Sequence, residues 1–167
     1  LQKLLAAACA LVSLASASHA QEWPSRTITL VVPFAAGGGI DASARIQALA
    51  LSEIVGQSIV VEAKPGIAGA LAAETVARSD PDGYTILITS SAYVLNPSLY
   101  DKVPYDPYKD FLPISEMGAS PNVFVASPKA GINSMAELIA VAKKEPDKLN
   151  YASPGVGTTP HLDAERF

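Results

Sequence analysis

The chain has 167 residues, 12 basic and 16 acidic, with a formal net charge of −4. With no basic run, that balance argues against nucleic acid or an anionic membrane surface as partner. A single cysteine, Cys9, leaves no intrachain disulfide and no Cys-based metal site, and 49% hydrophobic content suffices for an ordinary globular core.

Residues 1–20 read as a secretory signal peptide. Lys3 is the n-region, Leu4 to Ala17 an alanine-rich h-region, and Ser18-His19-Ala20 an A-x-A-like cleavage site with Gln21 as the expected mature N-terminus. The apolar run is too short for a convincing membrane span, so cleavage leaves no direct membrane insertion; the alternative is an uncleaved anchor. Cys9 falls too early for a lipoprotein signal. The segment carries Lys3 and no acid, so its removal makes the chain one unit more negative and free of cysteine.

Ile28 to Phe34 is a near-continuous, β-branched apolar run, the mark of a buried parallel strand. Asp41 to Val55 predicts a helix with Ile46, Leu49, Ala50 and Ile54 on its apolar face, ended by Gly56. Ser58 to Glu62 is a second strand, broken by Lys64-Pro65-Gly66. Ala70 to Arg78 is a helix of small residues, Asp80-Pro81-Asp82-Gly83 a turn and Tyr84 to Thr89 a third strand. This alternation predicts βαβ units and a parallel sheet. Ser90 to Tyr108, with Asn96-Pro97, Val103-Pro104 and Asp106-Pro107, reads as an irregular crossover, and a domain boundary is expected between Phe111 and Gly118. Leu112 to Glu116 and Asn122 to Ala126 read as strands, and Ser134-Met135-Ala136-Glu137 as a capping box opening a helix to Lys144. Leu149 to Ala152 is a further expected strand, followed by a glycine loop and a helix from Thr159 that stops uncapped at Phe167. The expected organisation is a signal peptide over 1–20, domain I over 21–115 and an incomplete domain II over 116–167.

Two segments match in design. Pro33-Phe34-Ala35-Ala36-Gly37-Gly38-Gly39-Ile40-Asp41 and Ser153-Pro154-Gly155-Val156-Gly157-Thr158-Thr159-Pro160-His161 each join a strand to a helix start through glycines. Helix N-termini present unpaired N–H groups and a positive dipole end, and glycines let the backbone approach a bound anion. Two such loops can hold the two ends of one small anion. Neither completes a G-x-G-x-x-G or a G-K-[ST] fingerprint. The plainer alternatives are a tight turn capped by Asp41 and a helix capped by Thr158 or Thr159. Ser90 and Ser91 end the third strand at the carboxyl edge, where open α/β sheets bind ligands, or are simply a solvated strand end. His161, the one histidine after the signal, has no ligand set for a metal and no G-x-S-x-G partner, and is read as packing or hydrogen-bonding near the cleft.

In chain order, Pro33-Phe34 through Gly37-Gly38 to Asp41, Lys64-Pro65-Gly66, Asp80-Pro81-Asp82-Gly83-Tyr84, Asn96-Pro97-Ser98-Leu99-Tyr100, Pro104-Tyr105-Asp106-Pro107 and Leu149-Asn150-Tyr151-Ala152-Ser153 followed by Gly155, Gly157 and His161-Leu162 form one ordered set. The set resembles the extracytoplasmic solute-binding receptors of tripartite tricarboxylate transporters, the Bug-type proteins. The resemblance implies a periplasmic-binding-protein-like α/β fold, two domains with parallel-type sheets flanked by helices, closing on an organic carboxylate delivered to membrane transporter subunits. It implies no enzyme activity and no cofactor. The loop Phe34, Ala36, Gly37, Gly38, Gly39 and Asp41 would hold one carboxylate by backbone N–H groups, often through bridging waters. Ser153, Gly155, Gly157, Thr158, Thr159 and His161 would hold the other end, with Ser90 and Ser91 lining the floor. Ile40, Ala63 and the glycine-poor run Lys64 to Gly69 depart from the family pattern. So does the length, which is about half the family's and implies that the C-terminal half is missing. The competing readings are an exported α/β enzyme acting on an anionic substrate and a receptor-like chain that serves a signalling partner.

Overall fold

The computed structural model describes residues 23–167. The expected signal peptide, its cleavage after Ala20, Gln21 and Cys9 all lie outside the described residues. Strand β1 (Ile28–Val32), helix α1 (Gly39–Val55), strand β2 (Ile59–Ala63), helix α2 (Ala70–Ala77) and strand β3 (Thr85–Leu87) follow in order. They form a parallel sheet in the order β2-β1-β3, as the alternation predicts. β1 is central because it is apolar on both faces: Ile28, Leu30, Val31 and Val32 are all buried. Leu30 stands level with Val61 on one side and Ile86 on the other.

Side chains alternate across a strand, so two cores form on the two faces of the sheet. One gathers Ile28, Leu30, Val32, Ala44, Ala48, Tyr84 and Ile88, with Ile86 packed against it. The other gathers Ala70, Ala73 and Tyr105, with Leu87, Tyr93 and Phe111 around them. Tyr93 and Tyr105 stack at 5.4 Å, and Phe111 meets both edge-on.

α1 buries a different face from the one the sequence suggests. Asp41, Ala44 and Ala48 face the sheet, whereas Ile46, Leu49 and Ile54 are 71%, 69% and 78% exposed and Ala50 is exposed as well. The sheet surface beneath is filled by branched residues, and small side chains one turn apart let the helix axis come close to it. The bulkier stripe therefore turns outward.

The stretch expected to be irregular contains a helix, α3 (Ala92–Leu99), with Pro97 inside it. Helices α4 (Met135–Lys144) and α5 (Thr159–Arg166) stand where expected. The capping box at α4 is formed: Ser134 Oγ accepts from the Glu137 N–H at 3.2 Å, while Glu137 Oε2 accepts from the Asn133 N–H at 2.7 Å. Residues 112–116, 122–126 and 149–152, read as strands, are not strands. A strand needs a ladder partner for its N–H and C=O groups, and among the described residues none pairs with them. Leu112, Ile114, Val123 and Val125 are exposed as a result. The 122–126 segment lies along α5 instead, where Asn122 donates to Asp163 and Phe124 meets Phe167 at 5.3 Å.

Candidate ligand-binding site

The carboxyl ends of the three parallel strands lead into Pro33–Gly38, Lys64–Gly69 and Ile88–Ser91. They form one edge of the sheet, the place where open α/β sheets carry their sites.

In the first loop Gly37 has φ +85°, a left-handed conformation that suits glycine, with open space where a Cβ would stand. Gly38, in extended conformation, takes the N-cap of α1. Asp41 is therefore not the cap. It is the third helical residue, 2% exposed, and its carboxylate reaches back to accept the Gly37 N–H at 2.8 Å. Arg45, one turn on, donates to both oxygens at 2.9 Å. The Arg45 hydrogen bonds, followed by the Gly37 N–H, hold the Asp41 carboxyl below its ordinary value of 3.8. The Gly38 N–H is also committed, to the Ala35 carbonyl at 3.2 Å. Among the described residues the N–H groups of Ala36, Gly39 and Ile40 have no such partner. These, rather than those of Gly37 and Gly38, are the donors of the loop left without an acceptor. Phe34 is half-buried, and Ala36 and Gly39 are exposed.

The turn after β2 runs through four positive φ values: Gly66 +146°, Ile67 +45°, Ala68 +49° and Gly69 +91°. A β-branched residue in this region is strained. Gly69 must be glycine for a second reason: a Cβ there would stand 2.8 Å from the Pro33 Cβ. The turn is thereby pressed against the base of the first loop.

The second glycine loop lies on α3. The Ser91 and Thr159 hydroxyls are hydrogen-bonded, and the Tyr100 hydroxyl reaches the Val156 carbonyl at 3.4 Å. Gly157, with φ +88°, is buried so closely that a Cβ would stand 2.8 Å from Leu99 Cδ1 and 3.3 Å from Asn96 Oδ1. Thr158 is the N-cap residue of α5, but its hydroxyl donates back to the Gly155 carbonyl at 2.7 Å and caps nothing. Thr159 is the first helical residue and not the cap either. Pro160 has no N–H, so the first turn of α5 offers those of Thr159 and His161. Ser153 and Gly155 are half-buried at the loop's start. The Ser90 carbonyl accepts from the Tyr93 N–H at 3.1 Å, closing the first turn of α3.

His161 packs near this loop, its ring 6.3 Å from Tyr151. Its Nε2 is 3.9 Å from Glu165, and its Nδ1 is buried without a partner among the described residues. Among the described residues no cluster of three His, Cys, Asp or Glu could hold a metal, and no helix is long and apolar enough to cross a membrane.

The structure thus joins Gly37 to Asp41, Ser91 to Thr159, and Gly157 to α3. It also brings in two residues that the sequence does not mark as belonging to the site, Arg45 and Asn96. Arg45 was discoverable as the basic partner four residues after Asp41. Asn96 is completely buried, and its local signal is an amide that sits between the apolar run Ala92-Tyr93-Val94-Leu95 and Pro97.

Residues 43–167 match the tripartite tricarboxylate transporter family receptor. A UPF0065 protein of Bordetella pertussis is 41% identical over 160 residues, 95% of this chain and 49% of that protein. Among solved structures, R. palustris Rpa4515 with adipate is 39% identical with a TM-score of 0.83, over 86% of this chain and 48% of the other. MatC from Rhodopseudomonas palustris with bound malate is 34% identical with a TM-score of 0.72, over 82% of this chain and 47% of the other. The chain spans about half the length of the curated relatives it matches. On these matches, the ordered motifs and the parallel sheet with its glycine loops, the chain belongs to the tripartite tricarboxylate transporter receptor family.

Proposed function

We propose that this chain is part of an exported periplasmic receptor that captures a small organic carboxylate by cleft closure and presents it to tripartite tricarboxylate-type membrane subunits. The observation that carries the reading is the likeness, at a TM-score of 0.83, to a family structure holding adipate. The geometry supports it, because loops from all three strands and the α5 start converge on one edge rich in backbone donors.

In this reading one carboxylate approaches the N–H groups of Ala36, Gly39 and Ile40, directly or through water. The other end of the ligand approaches Thr159 and His161, with Ser90, Ser91 and Ser153 alongside. Gly37, Gly38, Asp41, Gly155, Gly157 and Thr158 shape the two loops, and Phe34 forms a wall. Residues 21–115 and 116–167 would be the two lobes. Closure excludes water and strengthens each charge-assisted hydrogen bond. No chemistry on the ligand is needed.

The test is a thermal-shift titration of the protein extended to its full reading frame against mono-, di-, tri- and aromatic carboxylates. A ligand at about a hundred times its Kd adds roughly 2.7 kcal/mol of stability. A saturable shift with one acid supports the receptor reading. A folded protein that shifts with none of them removes it, and turnover of an anionic substrate would replace it with an exported enzyme.

A further inference from the structure

Asn96 is the one fully buried side-chain amide on α3, with no exposed surface. Its Nδ2 donates to the Ala68 carbonyl at 3.2 Å and to the Tyr105 hydroxyl at 3.3 Å. Its Oδ1 is buried with no hydrogen-bond partner among the described residues. That oxygen is aimed at the second glycine loop, 3.3 Å from where a Gly157 Cβ would stand. Ala68 belongs to the strained turn, and the next residue, Gly69, is pressed against Pro33 at the base of the first loop. One side chain therefore touches the turn behind the first loop with its nitrogen and faces the second loop with its oxygen.

A buried amide oxygen without a donor is costly, and leaving it so is informative. Around the second core no other buried side-chain nitrogen or oxygen is left in that state among the described residues. The Gly157 N–H has no acceptor among the described residues either. We propose that Asn96 is a positioning residue that couples the two glycine loops. When the second loop moves toward α3, its backbone gains the Asn96 Oδ1 acceptor. The Nδ2 bond to Ala68 ties that gain to the turn that supports the first loop. Occupancy of one loop is then felt at the other. The proposal rests on the carboxylate-receptor reading and adds to it the residue that makes two half-sites act as one.

The experiment is a double-mutant cycle in the protein extended to its full reading frame. Asn96→Leu removes both the donor and the acceptor while keeping the branched heavy-atom skeleton, in a somewhat larger side chain. Gly37→Ala perturbs the first loop at a site the Asn96 contacts do not include. The Kd for the carboxylate that gives the largest thermal shift and the ligand-free Tm are measured for all four proteins. The expected result is a Kd raised about tenfold by Asn96→Leu, and a combined effect on Kd that departs from the product of the single effects by threefold or more. The ligand-free Tm changes should simply add, which separates coupling from damage to the fold. If Asn96→Leu does not fold, Gly157→Ala takes its place, because it pushes against the same oxygen from the loop side. Multiplicative Kd effects, or an unchanged Kd in a folded variant, overturn the proposal alone. An unsubstituted protein that binds no carboxylate overturns the receptor reading, and the proposal with it.

Discussion

The Tyr105 hydroxyl donates to the Tyr93 carbonyl oxygen at 2.7 Å, filling the place that Pro97 leaves vacant in α3. In an uninterrupted helix the residue four positions on would donate to that carbonyl, and proline has no N–H to give. The second core thus repairs its own helix through a side chain twelve residues away. Tyr105→Phe keeps the stack with Tyr93 but leaves the Tyr93 carbonyl without its donor and the Asn96 amide without one of its two acceptors. The expected loss is about 1–3 kcal/mol of unfolding free energy, read from urea midpoints at constant m-value. A loss indistinguishable from zero would show that water reaches the carbonyl.

Tyr93 itself should report on alkaline stability. Burial, followed by the neighbouring Tyr105, pushes its phenol up from 10.0 to about 12. The folded state therefore favours the neutral phenol, which also donates to the Pro107 carbonyl at 2.5 Å. This stabilisation is fully present below the ordinary tyrosine value and is lost as pH rises from 10.0 towards about 12. Tyr93→Phe should flatten the fall of Tm across that interval. An identical fall in both proteins would assign it to other groups.

Asp41 works in the opposite pH range. Its folded value lies below 3.8, so its contribution is present above that value and disappears as pH falls through the folded value. Asp41→Asn should lower Tm at neutral pH and reduce its dependence on acid. Asp106, lowered in the same direction by Lys109, keeps the variant from becoming wholly insensitive. A variant with the full acid dependence of the parent would contradict the Arg45 and Gly37 contacts as its source.

Two glycine substitutions separate conformational strain from collision. Gly37→Ala meets only the left-handed backbone, at a cost of about 1–2 kcal/mol. Gly69→Ala meets the same strain and the rigid Pro33 ring at 2.8 Å. It should lose at least about 1 kcal/mol more than Gly37→Ala in urea unfolding. Equal losses would mean that the turn after β2 yields freely.

Much of the fold was legible because β1 speaks plainly: branched residues buried on both faces announce a central parallel strand, and Gly56 and Ser134 mark helix ends by their backbone chemistry. The face of α1 was not legible, because the helix carries two apolar stripes. The sheet selects the smaller one, Ala44 and Ala48, by a packing distance that no periodicity encodes. α3 was hidden by Pro97, whose missing donor is replaced from outside the helix. The segments at 112–116, 122–126 and 149–152 have strand composition, but a strand exists only with a partner. At the site, the glycines announced the loops while the committed N–H groups did not, since these depend on where the Asp41 carboxylate folds back. Asn96 stood out only through its place beside Pro97, and its role was hidden because its partners lie 28 and 9 residues away in sequence.

The sheet has a practical corollary. β2 and β3 each pair only with β1 among the described residues, so each turns one row of backbone donors and acceptors outward. Beside the β2 edge, Val60 is half-exposed, and Leu49 and Ile54 stand uncovered on α1. An apolar margin next to an open ladder is a template for strand-on-strand aggregation. The Glu62–Lys64 pair supplies the nearby charge, at the far end of β2. These residues expressed alone should therefore form concentration-dependent, cross-paired oligomers, and charge introduced at Val60 should be the simplest way to keep them apart.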